Sequence, residues 1–90
     1  MTPEQAIERA NQAARLLDDP TLQKAFEGVR MALLSRLEDV ALIDRDTQHE
    51  IAVSLQLLKQ LKRQLHTWVT DGKLEINRAE TSTLWPRNRA

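Results

Sequence analysis

At 90 residues the chain supports one small domain, in the range where roughly 60–65% of the unfolded surface is buried. Its 13 basic and 13 acidic side chains cancel, which argues against bulk electrostatic attraction to nucleic acid, where phosphate neutralisation dominates binding. Cysteine is absent, so neither a disulfide framework nor a thiolate metal site is available, as suits a reducing compartment.

Leu, Ala, Gln, Glu, Lys and Arg dominate, beside two glycines, two tryptophans and one phenylalanine. These are helix formers, and the fold class expected is all-α. The first residues, MTPEQAIERANQ, lack the apolar core of a signal peptide. No segment approaches the ~20 apolar residues of a membrane span. A soluble, intracellular protein without membrane contact is the expectation.

Thr2-Pro3-Glu4-Gln5 reads as an N-cap, a proline at the first helical position and a capping-box glutamine. It opens a helix over residues 3–18, with Ile7, Ala10, Ala14 and Leu17 on one face. Asp18-Asp19-Pro20 ends it and starts the next, with Asp19 as cap. The second helix, 20–41, carries Leu22, Phe26, Val29, Leu33, Leu37 and Val40 at amphipathic spacing. Gly28 interrupts it, either as a tolerated defect costing about 1 kcal/mol against alanine or as a point of close helix approach.

The pattern breaks around Ile43-Asp44-Arg45-Asp46. Thr47-Gln48-His49-Glu50 then reads as a second capping box, opening a third helix over 47–71. Gly72 is expected to stop that helix in the left-handed C′ conformation. Ile51, Leu55, Leu58, Leu61, Leu65 and Trp68 mark its buried side, widened by Val53, Leu57 and Val69.

Residues 1–72 thus form the helical domain. A short first helix lies on a long antiparallel hairpin of the other two. The wide apolar face of the third helix exceeds what one partner covers, so the core is expected to be completed by oligomerisation. Residues 73–90 form a C-terminal extension, a short helix followed by a mobile tail. Leu84-Trp85-Pro86 in that tail is either a docking element or packs back on its own domain.

Lys59, Lys62, Arg63 and His66 fall within a sector of about 100° on the third helix. Such a stripe can track phosphates. Folding the hairpin, however, sets position 62 opposite roughly position 27, which is Glu27, and sets Glu38 and Asp39 opposite the start of the third helix. A solvated or cross-paired face is the favoured reading.

Asp46, His49 and Glu50 could share a face and hold a divalent ion, but acids at a helix N-terminus are already explained by its dipole. No metal site and no cofactor are assigned. No thiol, glycine-rich phosphate loop or activated serine is present, and no catalytic residue is expected.

The strings ARLLDDPTLQKAF and LQLLKQLKRQLHTWVTDGKLE resemble small helical proteins of tailed bacteriophages and prophages, which accompany virion-assembly or DNA-packaging genes. The resemblance runs over about residues 14–75. It implies a phage-like assembly context. Together with the wide apolar face and the lack of a catalytic constellation, the expectation is a homo-oligomeric, non-enzymatic interaction module in the bacterial host cytoplasm or the virion, with a phage structural or packaging protein as partner. Leu33, Leu37, Leu55, Leu58, Leu65 and Trp68 are the candidate interface, with Trp85 as a second anchor. The alternatives are a nucleic-acid-binding packaging accessory using Lys59, Lys62, Arg63 and His66, and a regulator that binds a host protein.

Overall fold

A computed structural model describes residues 1–84 of the chain and the side chains of residues 1–81. Three helices follow one another: α1 (Pro3–Leu17), α2 (Pro20–Asp39) and α3 (Arg45–Leu84). No strand occurs among the described residues. The fold is all-α, with α1 packed on α3 and α2 antiparallel to it. Residues 81–84, expected in the mobile tail, belong to α3, and Trp85 and the residues after it lie outside the described residues.

The first two helix starts follow from local hydrogen bonding. Thr2 N–H donates to Gln5 Oε1 at 2.9 Å and Gln5 N–H donates to Thr2 Oγ1 at 3.2 Å, a reciprocal capping box. Asp19 Oδ1 accepts from Thr21 N–H at 2.8 Å and Leu22 N–H at 3.4 Å, with Pro20 in the first turn. Gln23 Nε2 donates to the Leu17 carbonyl at 2.7 Å, satisfying an acceptor that the end of α1 leaves open.

The third start differs from expectation. Asp44, not Thr47, is the cap: its carboxylate accepts from Thr47 N–H at 3.1 Å and Thr47 Oγ1–H at 2.8 Å. Both caps are chemically sound, but the earlier one converts residues 45 and 46 from loop into helix and so adds backbone hydrogen bonds.

The largest departure is at Gly72, which does not end α3. No glycine among the described residues has a positive φ, and the helix runs on to Leu84, for 40 residues or about 60 Å at 1.5 Å per residue. The glycine serves a different purpose. A Cβ built there would sit far inside contact distance of Ala10 Cβ, and would meet the Ala6 carbonyl oxygen at 3.5 Å and Ala10 Cα at 3.6 Å. Gly72 is buried, as are Ala10 and Ala13. Small residues on both helices let the two backbones approach closely. Gly28, by contrast, has nothing within 4 Å of a built Cβ, so it is the tolerated defect.

The chain divides into two compact units. One comprises Met1–Leu16 and α3 from Gln64 onward. Ala10, Ala13 and Leu65 are its buried apolar residues, and Arg9 places its guanidinium 5.2 Å from the centroid of the half-buried Trp68 ring. The other is Leu17–Arg63, the α2–α3 hairpin, whose buried residues are Phe26 and Ile51, the latter at 0% exposure.

Within the hairpin, Ile51, Leu55, Leu58 and Lys62 turn towards α2, and all are buried or half-buried. Val53, Leu57 and Leu61 were expected on the buried side as well, but all three are exposed, Leu57 at 59%. At 100° per residue they lie roughly 120° around α3 from the buried row. The apolar arc is broader than one facing helix can cover.

Candidate interaction surface

The turn between α2 and α3 carries the most exposed aliphatic side chains of the hairpin. Leu42 is 91% and Ile43 90% exposed. Their backbone is nonetheless well fastened. Asp44 N–H donates to the Ala41 carbonyl at 2.9 Å, and Arg45 N–H to the Ile43 carbonyl at 3.0 Å. Gln48 Nε2 donates to both the Ala41 and the Leu42 carbonyl oxygens, each at 3.1 Å. The carboxyl of Asp44 is held below the ordinary value of 3.8, first by the Thr47 hydroxyl and then by the Thr47 amide. Two greasy side chains are therefore displayed on an ordered turn flanked by Glu38, Asp39, Asp44 and Asp46.

Further along the same hairpin, α2 and α3 leave a groove of about 400 Å³. Phe26, Leu34, Leu55 and Leu58 supply its apolar lining, and Glu27, Arg30, Lys59 and Lys62 its charged rim. Lys62 is half-buried, its Nζ 5.7 Å from the centroid of the Phe26 ring. That distance suits a cation–π contact. Glu27 is engaged by Arg30 on its own helix at 3.3 Å. The rim consequently carries more positive than negative charge.

The register inferred from sequence was sound to one residue, since position 62 meets position 26 across the hairpin. Of the two alternatives for the stripe, cross-pairing is not seen, because Lys62 covers the Phe26 ring instead of pairing with Glu27. Both ion pairs among the described residues, Arg30–Glu27 and Arg78–Glu75, join residues three apart on one helix. Cross-paired charges are not what closes the hairpin. Lys59, Arg63 and His66 are exposed.

The candidate interface residues fall into three groups. Leu65 is buried and Trp68 half-buried under Arg9, both already packed within the unit that holds α1. Leu33, Leu55 and Leu58 are half-buried, the last two lining the groove, and Leu37 is 38% exposed near the end of α2.

No family model, curated protein or solved structure matches the chain.

Sequence reasoning missed Leu42 and Ile43 as surface features. The signal lay in plain view: two large aliphatics fall where the helical period breaks, between carboxylates, with no later position to pair them. Among the described residues no group of three His, Cys, Asp or Glu side chains converges as a metal site. No helix among the described residues is long and apolar enough to cross a membrane.

Proposed function

We propose that this chain is a non-enzymatic helical interaction module of the virion-assembly or DNA-packaging gene set of a tailed bacteriophage or prophage. It self-associates and binds a phage structural or packaging protein, in the host cytoplasm or on the virion. The observation that carries the interaction reading is the apolar surface left open on the hairpin: Leu42 and Ile43 at its tip, and Val53, Leu57 and Leu61 along α3. Contiguous exposed aliphatics mark association surfaces in soluble proteins. The assembly context rests on the resemblance of the two helical strings given above.

Affinity capture with the tagged full-length chain from phage-infected cells tests this reading. Recovery of a virion or packaging protein, lost on Leu57→Ser with Leu61→Ser, both exposed along α3, is the expected result. Recovery of host proteins alone would favour the regulator instead, and a chain that captures nothing and stays monomeric refutes the module.

The exposure of Lys59 and Arg63 supports a second reading, a nucleic-acid-binding packaging accessory. It predicts duplex binding that falls steeply with salt and weakens when Lys59 and Arg63 are changed to Gln. The half-buried Lys62, already over Phe26, is a poorer phosphate ligand than its place in the stripe suggests.

A further inference from the structure

The hairpin carries two features of opposite character. Its tip, residues 38–46, presents Leu42 and Ile43 among four acids, Glu38, Asp39, Asp44 and Asp46, against Arg45 and the nearby Arg36, which leaves the tip acidic. Its groove presents Phe26, Leu34, Leu55 and Leu58 beneath Arg30, Lys59 and Lys62, against Glu27 alone. One is an acidic apolar knob and the other a basic apolar hollow.

The tip cannot reach the groove of its own molecule. Leu58 lies fourteen helical residues beyond Asp44, roughly 20 Å at 1.5 Å per residue, and the turn is tied down by Asp44, Thr47 and Gln48. The complement must come from another molecule, and the chain itself supplies it at equal concentration.

Resting on the self-associating module proposed above, we infer that the occupant of the groove is the α2–α3 tip of a second copy of this chain. Leu42 and Ile43 of one copy enter the apolar floor of the other, and the carboxylates of the tip face Lys59, Lys62 and Arg30. Each copy owns one knob and one hollow, so a two-fold arrangement engages both contacts at once. Burial of the two aliphatics supplies most of the affinity. The charges set orientation and partner choice.

Sedimentation equilibrium of the full-length chain tests the contact. The expected result is a reversible dimer that weakens as salt rises from about 0.05 to about 0.5 M. In Leu42→Ser with Ile43→Ser the dissociation constant rises on the order of tenfold or more, while far-ultraviolet circular dichroism is unchanged because both side chains are exposed. Lys59→Glu, also at an exposed position, weakens the dimer independently.

Mixing these two defective proteins gives one intact knob-and-hollow contact and one doubly defective contact, so the mixed dimer associates more tightly than the weaker of the two homodimers. A chain that stays monomeric at concentrations on the order of 1 mM overturns the inference. So does a dimer indifferent to the tip substitutions or a mixture no tighter than the weaker of its components. A dimer that ignores the tip leaves the module reading standing, which the capture experiment tests separately.

Discussion

Replacing each of the two glycines by alanine should have opposite consequences, although both lie inside helices. At Gly28 a methyl group meets nothing within 4 Å, so Gly28→Ala removes only the helix-interior penalty and stabilises by about 1 kcal/mol. Gly72→Ala gains the same propensity but drives its methyl into Ala10 Cβ. Neither atom has a rotamer through which to escape, since each is fixed directly to a helix backbone. Overpacking of this kind costs about 1–3 kcal/mol, which leaves a net destabilisation of up to about 2 kcal/mol after the propensity gain.

Urea unfolding followed by circular dichroism at constant m-value reads both effects as shifts of the midpoint. A compensating change isolates the cause. Gly72→Ala combined with Ala10→Gly removes the colliding atom and leaves Ala10 Cα at 3.6 Å, an ordinary contact, so the double variant should return close to the parent. Two helices merely lying near one another would make Gly72→Ala as stabilising as Gly28→Ala, and that result would refute the close-packing account.

Three further outcomes follow from the caps and the groove. Asp19→Ala should cost about 1 kcal/mol by removing the acceptor of Thr21 and Leu22 N–H, whereas Asp19→Asn retains most of it; thermal midpoints compare the pair. The carboxyl of Asp44 is depressed in the folded state, so its contribution is complete above 3.8 and is lost as pH falls through the lower folded value. The stability gap between the parent and Asp44→Asn should therefore be present at neutral pH and shrink in strong acid, by a modest amount because the exposed carboxylate is screened. Lys62→Met keeps the stem that packs beside Phe26 but loses the charge 5.7 Å from the ring. It should lower stability by no more than about 1 kcal/mol, and a larger loss would mean that the ammonium has another partner.

The parts of the fold legible beforehand were those decided by neighbours in sequence. Thr2 with Gln5, and Asp19 with Pro20, are short-range hydrogen-bonding units, and their chemistry is complete within four residues. The short connection between α2 and α3 gave the antiparallel hairpin, and folding about that turn gave the register to within a residue, while helical period determined which side chains share a face. Gly72 was different. Whether a glycine stops a helix or admits a neighbour depends on what lies opposite, and Ala10 is 62 positions away in the chain.

Thr47 and Asp44 illustrate a second kind of ambiguity. Each stands three residues before a plausible partner, and the competition is settled by how much backbone each choice brings into the helix. The candidate interface was half legible. Leu55 and Leu58 do line an open groove, yet Leu65 and Trp68 are occupied by α1 and Arg9. A list of apolar positions cannot tell which of them the chain's own helices will use first.

Gln48 gives the hairpin turn an unusual economy. Because one amide group grips two successive carbonyl oxygens, the backbone beneath Leu42 and Ile43 surrenders its freedom during folding, before any encounter. A neighbour that lands on those side chains meets a stiff fingertip, so the usual entropic toll of immobilising a loop at contact is largely absent. Tighter engagement for the same small apolar area is what such a fingertip favours.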